Sequence, residues 1–143
     1  MYTDLAKKFM HDSYRFRRHS QQKKVDEAMQ GEAFVLLYAK MKGDSILPSE
    51  VSTEMNISSA RIAAVLNSLE NKGLVTRSID PDDRRRVLVD LTQDGKALGE
   101  QYYHMVLGLT ARMLAILGEQ DAVELVRIMG KLADGVSEGM CDK

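Results

Sequence analysis

Arg84, Arg85 and Arg86 form the only run of three adjacent cationic residues in the sequence. They follow the acidic segment Asp80–Asp83 and precede Val87–Leu91, an alternating run that is typical of a strand. Arginines at the tip of a hairpin can enter the minor groove of DNA, where a narrow groove has a strong negative potential. The alternative is an ordinary solvated hairpin in which the arginines pair with the neighbouring aspartates. The surrounding elements must discriminate between the two interpretations.

The composition limits the classes of protein that the chain can form. Its 143 residues are enough for one domain with a core. The net charge of −1 excludes a bulk polycation, so any charge that binds nucleic acid has to be local. No stretch approaches the roughly 20 apolar residues of a membrane span, and the charged N-terminus does not resemble a signal peptide. The single cysteine, Cys141, excludes an intrachain disulfide framework, so we expect a cytoplasmic protein without a membrane partner.

Hydrophobic periodicity predicts four helices before the arginine cluster. They cover residues 3–29, 32–42, 48–55 and about 58–73. Pro48 suits the first position of the third helix, and Ser58 or Ser59 can cap the fourth. Asn56-Ile57-Ser58 predicts a tight turn between these two helices, and Gly73 predicts the end of the fourth.

The period then changes to that of strands. Residues 74–79 and 86–91 are predicted to form a β-hairpin, and Asp80–Asp83 has the composition of a type I turn. Two further helices follow, the first of them capped by Thr92, and each carries an apolar seam. The order α-α-α-α-β-β-α-α therefore predicts a mainly α fold with a small β-hairpin.

Two short helices joined by a tight turn and followed by an arginine-bearing hairpin are typical of a winged helix-turn-helix. The fourth helix would enter the major groove with its first turn, which contains Ser58, Ser59 and Arg61. The hairpin would be the wing, with Arg77 a few residues from the arginine cluster. This arrangement favours DNA contact over a solvated hairpin.

The segment LNSLENKGLVTRSIDPDDRRRVLVDLTQDG, residues 66–95, resembles the MarR (multiple antibiotic resistance) family of transcriptional regulators. It contains a Leu-Glu-x-Lys-Gly turn, an Asp-x-Arg wing and a Leu-Thr-x-x-Gly exit, and the resemblance extends over nearly the whole chain. It implies one MarR-like domain over residues 1–143. Residues 31–92 would be the DNA-binding lobe, and residues 1–30 and 93–143 would interlock as the dimerisation region.

The resemblance also implies roles for individual residues. By position in the Asp-x-Arg motif, Arg85 would be the minor-groove arginine and Asp83 its orienting partner. Many family members carry an arginine where this chain has Ala64, whereas Arg61 lies one turn earlier, so the base sequence read here is expected to differ. The predicted DNA-binding residues are Ser58, Ser59, Arg61, Arg77, Asp83, Arg84, Arg85 and Arg86.

The function implied is that of a homodimeric, sequence-specific DNA-binding regulator, a repressor acting on a palindromic operator. In the family, small aromatic acids often bind in a cleft and relieve repression. The residues that could line such an effector pocket are Tyr14, Phe34, Tyr38, Met41 and Tyr102, although packing in the core is an equally good interpretation for each. The alternative function is a winged-helix assembly module that does not bind DNA.

Other classes of site are disfavoured. No nucleophile–base pair, phosphate-binding glycine loop or carboxylate pair indicates an enzyme. His11, His19 and His104 lack the spacing of metal ligands, and we expect no metal and no other cofactor. Cys141 is interpreted as incidental rather than as a redox sensor. The basic run Arg15–Lys24 is interpreted as a solvated helix face, with a phosphate contact as the alternative.

Overall fold

The computed structural model describes residues 1–19 and 31–139. In these ranges the elements are α1 (Tyr2–His19), α2 (Glu32–Lys42), α3 (Pro48–Met55), α4 (Ser59–Asn71), β1 (Val75–Ile79), β2 (Val87–Leu91), α5 (Gln93–Ala115) and α6 (Glu119–Gly139). The predicted mainly helical fold with a small hairpin is confirmed. The part of the first predicted helix beyond His19 lies outside the described residues.

The chain divides into two compact units, Met1–Met105 and Val106–Lys143. In the first unit, a core forms between α2, α3, α4 and the hairpin. Its buried members come from α2 and α4 at helical spacing, with one residue each from α3, from the segment before it and from the two strands: Val35, Leu36, Ala39, Ile46, Val51, Ile62, Leu66, Leu69, Val75 and Val89. In the second unit, no described residue is buried. None of the helices in the described ranges has the length and hydrophobicity that crossing a membrane would require.

The hairpin is antiparallel, with Val75 opposite Leu91 and Ile79 opposite Val87. Each strand is one residue shorter than predicted. A further pairing joins Ile46 to Val89 through two backbone hydrogen bonds of 2.9 Å, one in each direction. This bridge was not predicted, because a single pairing residue has no period in the sequence.

The turn of the hairpin lies later than predicted. The Arg86 N–H donates to the Asp83 carbonyl at 2.9 Å, so the hydrogen-bonded turn spans Asp83–Arg86 rather than Asp80–Asp83. The reason is that the Asp80 side chain accepts a hydrogen bond from the Asp82 N–H at 2.9 Å and holds the first part of the loop in a separate bend. Arg84 and Arg85 consequently occupy the two central positions of the turn.

Thr92 connects the base of the hairpin to the start of α5. Its hydroxyl accepts a hydrogen bond from the Gly95 N–H at 3.1 Å, which confirms the predicted cap, and donates to the Gly73 carbonyl at 2.7 Å. Its own N–H donates to the Leu74 carbonyl at 3.1 Å. A Cβ atom on Gly95 would lie only 1.9 Å from the Leu74 oxygen, so only glycine allows this approach.

We therefore expect Gly95→Ala to lower the free energy of unfolding by about 2–3 kcal/mol, within the range observed for overpacked sites. Urea denaturation followed by circular dichroism measures the change. Gly108→Ala in the same helix is the matched control, since no atom lies within 4 Å of its Cβ position. The control should be neutral or stabilising, because alanine has the higher helix propensity. Equal stability of Gly95→Ala and the unmodified chain would contradict the close approach.

Candidate nucleic-acid interface

The start of α4 is fixed by a side-chain cap. The Ser58 Oγ accepts a hydrogen bond from the Arg61 N–H at 3.2 Å, so Ser58 satisfies a backbone donor at the helix N-terminus. Ile62, Leu66 and Leu69 bury one face of the helix in the core. The opposite face is exposed over its first turns and carries Ser59, Ala60, Arg61, Ala63 and Ala64. A helix with one end capped and one face buried presents that outer face rigidly.

The turn before α4 is as tight as predicted. Asn56 adopts a left-handed conformation, with φ of 52°, immediately after α3. The Ser52 hydroxyl donates to the Ile57 carbonyl at 2.7 Å and closes the turn. At the other end of α3, Pro48 occupies the first turn as expected, and the Leu47 N–H donates to Glu50 at 2.7 Å. Both ends of α3 are thus held by local hydrogen bonds.

The tip of the hairpin presents two arginines to solvent. The Arg85 side chain is 92% exposed, and its Nε lies 3.3 Å from the Asp83 Oδ1. The same carboxylate accepts the Arg85 N–H at 3.1 Å. The orienting role that the resemblance implied for Asp83 stays a prediction. Arg84 is exposed and makes no ion pair with any of the described residues.

Arg86 is held at the base of the tip. Its Nε lies 3.5 Å from the Oδ2 of Asp80, a carboxylate whose residue is only 7% exposed. The Asp80 N–H also donates to the Arg86 carbonyl at 3.0 Å. The two residues close the loop from both sides. Arg86 is therefore engaged within the loop, and its predicted DNA contact stays a prediction.

Arg77 on β1 is bound to the side of α4. Its Nε donates to Glu70 at 2.7 Å, and its Nη2 donates to Asn67 at 2.7 Å and to the second Glu70 oxygen at 3.4 Å. The hydrogen bond from Arg77 lowers the pKa of Glu70, and the same bond raises the pKa of Arg77. Sequence reasoning predicted Arg77 as a DNA contact and did not identify Glu70 and Asn67, because a contact between a helix and the following strand has no periodic signal.

A second ion pair anchors α4 to α2. Glu32 in the first turn of α2 accepts hydrogen bonds from Lys72, at 2.7 Å, and from the Ser68 hydroxyl. These bonds, that of Lys72 first, hold the pKa of Glu32 below its ordinary value. The end of α4 is thereby bound to the first turn of α2.

The five residues predicted for an effector pocket fall into two groups. Phe34 and Tyr38 stack with ring centroids 6.0 Å apart, and both pack against the core together with Tyr102. Tyr14 and Met41 are 64% and 67% exposed, respectively. The first group fits the core interpretation that was left open, and the pocket itself stays a prediction.

The remaining candidate residues form no further site in the described part of the chain. No group of three or more His, Cys, Asp or Glu residues with the geometry to hold a metal ion occurs there. His104 contacts Glu100 at 2.9 Å, and His11 contacts Asp12 at 3.4 Å. The arginines of the basic run that lie in α1 are exposed, and the rest of that run lies outside the described residues, as does Cys141.

Helix, tight turn, helix and hairpin in this order define a winged helix-turn-helix protein. A MarR family model matches residues 29–86. The HTH-type transcriptional repressor MdtR of Bacillus subtilis is 29% identical over 71% of this chain, and the aligned region spans 65% of its length. The central part of the chain is thus similar to regulators of the MarR family.

Two solved structures are similar to this chain, with sequence identities close to that of MdtR. The first is Bordetella bronchiseptica BpsR, a protein whose DNA binding is regulated by 6-hydroxynicotinic acid. It is 28% identical with a TM-score of 0.64, and the match covers 91% of this chain and 93% of that one. The second is the transcriptional repressor CouR bound to a 23-mer DNA duplex. It is 25% identical with a TM-score of 0.57, covering 68% and 70% of the two chains.

The anchoring of α4 by Glu32 predicts a pH dependence of stability. A carboxyl group whose pKa is lower in the folded state stabilises the fold above its unfolded pKa, about 4.3, and this stabilisation is lost as pH falls through the folded pKa. Between pH 5 and pH 2, Glu32→Gln should therefore lose less stability than the unmodified chain, since glutamine does not titrate. Thermal melts at several pH values, monitored by circular dichroism, measure the difference. Parallel curves for the two proteins would contradict the role of Glu32.

Proposed function

We propose that the protein is a homodimeric, sequence-specific DNA-binding transcriptional regulator, a cytoplasmic repressor that a small-molecule effector relieves. The observation that carries the proposal is the tip of the hairpin, where Arg84 and Arg85 are exposed in the same compact unit as α4 and its exposed outer face. Exposed guanidinium groups on a narrow hairpin fit the minor groove, and a capped helix with a small-residue outer face fits the major groove.

The proposed DNA contacts have distinct roles. Ser59 and Arg61 in the first turn of α4 would reach base edges, where arginine binds guanine with two hydrogen bonds. Arg85 would enter the minor groove with Asp83 orienting it, and Arg84 would bind phosphate. Ser58 would act mainly by capping α4. Arg86 would act mainly by closing, with Asp80, the loop that carries Arg84 and Arg85.

The relatives support the same class of function. MdtR is described as a transcriptional repressor, and CouR is a repressor solved on a DNA duplex. Regulation of BpsR by 6-hydroxynicotinic acid supports an aromatic acid as the kind of effector. The proposed effector site includes Phe34, Tyr38 and Tyr102. A ligand there would release DNA by favouring a spacing of the two wings that does not fit the operator.

The proposal of a homodimer rests on two helices with extensive apolar surface. In α1, Leu5, Phe9 and Met10 are 55–70% exposed. In α6, the side chains of Val123, Val126, Met129, Leu132 and Val136 are 45–66% exposed. Apolar surfaces of this extent normally mark an interface. A second copy that buries them would present two wings and two α4 helices to a palindromic site.

The alternative function is a winged-helix assembly module that does not bind DNA. It would need the apolar surfaces of α1 and α6 but would have no use for exposed arginines at the hairpin tip. We therefore favour DNA binding. A catalytic function is not proposed, since the family is one of regulators and the described residues suggest no reaction centre.

Arg85→Ala should weaken operator binding and lower its salt dependence. Losing one cation per subunit should reduce the slope of log K against log salt concentration by about 2 per dimer. Fluorescence anisotropy with a labelled duplex at several salt concentrations measures both quantities, and circular dichroism verifies folding. Arg61→Ala is the contrasting variant. It should lower the binding free energy by about 1–3 kcal/mol on duplexes that carry the base bound by Arg61, and relax the base preference at that position. Unchanged affinity and slope for Arg85→Ala would mean that the wing is a surface hairpin.

Met129→Asp should disrupt the dimer, because it would place an unpaired charge in an apolar interface. Sedimentation velocity at micromolar concentration should show that the unmodified chain is a dimer and that the variant is dissociated or unfolded. Lys131→Asp on the same helix is the matched control. It also introduces an acidic side chain, but at a position that is already charged. A folded monomer for the unmodified chain at this concentration would refute the dimer.

A further inference from the structure

Arg77 lies where the hairpin leaves the core. The residue opposite it, Val89, is 1% exposed and pairs with Ile46. One cross-strand pair further out on the same face, Ile79 and Val87 are 65% and 39% exposed. The outer half of the wing therefore has little packing of its own. The contact between Arg77 and α4 stands at the boundary between the packed and the exposed parts of the hairpin.

The contact is well suited to fix an angle. Two of the three guanidinium nitrogens bind α4, and the Nε and Nη2 donors meet the two oxygens of Glu70 in a fork. Asn67, one helical turn before Glu70, accepts the second bond of Nη2 at 2.7 Å. Because the guanidinium is planar, a fork of this kind restricts direction as well as distance. We call Arg77, Glu70 and Asn67 the wing clamp.

The charges argue against Arg77 as a phosphate ligand. Glu70 compensates the Arg77 charge locally, and the hydrogen bond between them raises the pKa of Arg77. To bind a phosphate strongly, Arg77 would have to leave the carboxylate that already pairs with it. A paired cation of this kind releases few counterions from DNA, and counterion release is the source of salt-dependent affinity.

We propose that the wing clamp sets the angle of the wing relative to α4, and that Arg77 is a positioning residue rather than a DNA contact. The proposal rests on the proposed DNA-binding function and goes beyond it, because it assigns a role to Glu70 and Asn67 and reverses the role predicted for Arg77. The clamp holds Arg85 at the distance from Arg61 at which one half-site can accommodate both.

The two roles for Arg77 predict opposite effects of Glu70→Gln. If Arg77 is a phosphate ligand, removing the competing carboxylate strengthens DNA binding. If Arg77 is a positioning residue, the same change weakens binding, because the fork is lost. Glutamine keeps the length of the side chain and a similar helix propensity, so α4 is expected to remain folded.

A double-mutant cycle tests the proposal, with Arg77→Met, Glu70→Gln and the double variant measured against the unmodified dimer on one operator duplex. We expect each single change to weaken binding roughly tenfold and the double variant to bind about as weakly as either single one, since both remove the same contact. The salt slope should be unchanged in Arg77→Met and in the double variant, in contrast to Arg85→Ala. Tighter or unchanged binding by Glu70→Gln, additive losses, or a lower slope for Arg77→Met would each overturn the clamp.

A measurement without DNA separates the clamp from the proposed function. The Asp80 and Arg86 amides are hydrogen-bonded in the wing, and their hydrogen exchange, followed by NMR, reports its opening. We expect exchange at both amides to accelerate in Arg77→Met and Glu70→Gln while the amides of α2 remain protected. Unchanged exchange would overturn the clamp. If the unmodified dimer bound no duplex, the proposed function would be refuted. The hydrogen-exchange measurement would still show whether Arg77 and Glu70 hold the wing.

Discussion

The hydrogen bonds of Thr92 are the interaction on which the lobe depends. One side chain joins the end of α4 to the start of α5, through the Gly73 carbonyl and the Gly95 N–H, and the Thr92 backbone closes the hairpin at Leu74. Gly95 makes this possible, since any side chain would collide with the Leu74 oxygen. The Leu-Thr-x-x-Gly motif is thus a packing requirement of the lobe.

From this base, the lobe presents two surfaces, the outer face of α4 and the wing. The outer face of α4 is supported by its buried face, by the Ser58 cap and by the bond of Glu32 to Lys72. The wing is supported at two levels. The first is Thr92 at its base, and the second is the cross-strand pair of Arg77 and Val89, which carries both the fork to α4 and the bridge to Ile46. Arg77 and Lys72 are bound by carboxylates within the lobe, whereas Arg84 and Arg85 are exposed at the hairpin tip, in a chain of net charge −1.

The sequence predicted the elements and their order because each has a local signal: helical periodicity in α4, alternation in β2, and caps at Ser58 and Thr92. It could not predict contacts between elements. The sequence predicts Asp80 as the first residue of the turn. In the structure Asp80 is buried, and the hydrogen-bonded turn spans Asp83–Arg86 instead. Glu70 reads as a helix surface residue, but it binds Arg77 across the helix–strand junction. The residue types of the candidate site could therefore be predicted from the sequence. Only the structure shows that Arg77 is bound by residues of α4 while Arg84 is exposed.

We propose that a dimer reads DNA with two copies of the unit formed by α4 and the wing. The most direct measurement is a selection of bound duplexes from a random library at moderate ionic strength. We expect two inverted half-sites separated by about one helical turn, or a multiple of it. Base preferences should be concentrated where the α4 helices read the major groove, and a narrow-groove, A·T-rich preference should lie where the wings bind. No enrichment, or a single half-site without a symmetric partner, would contradict the proposal.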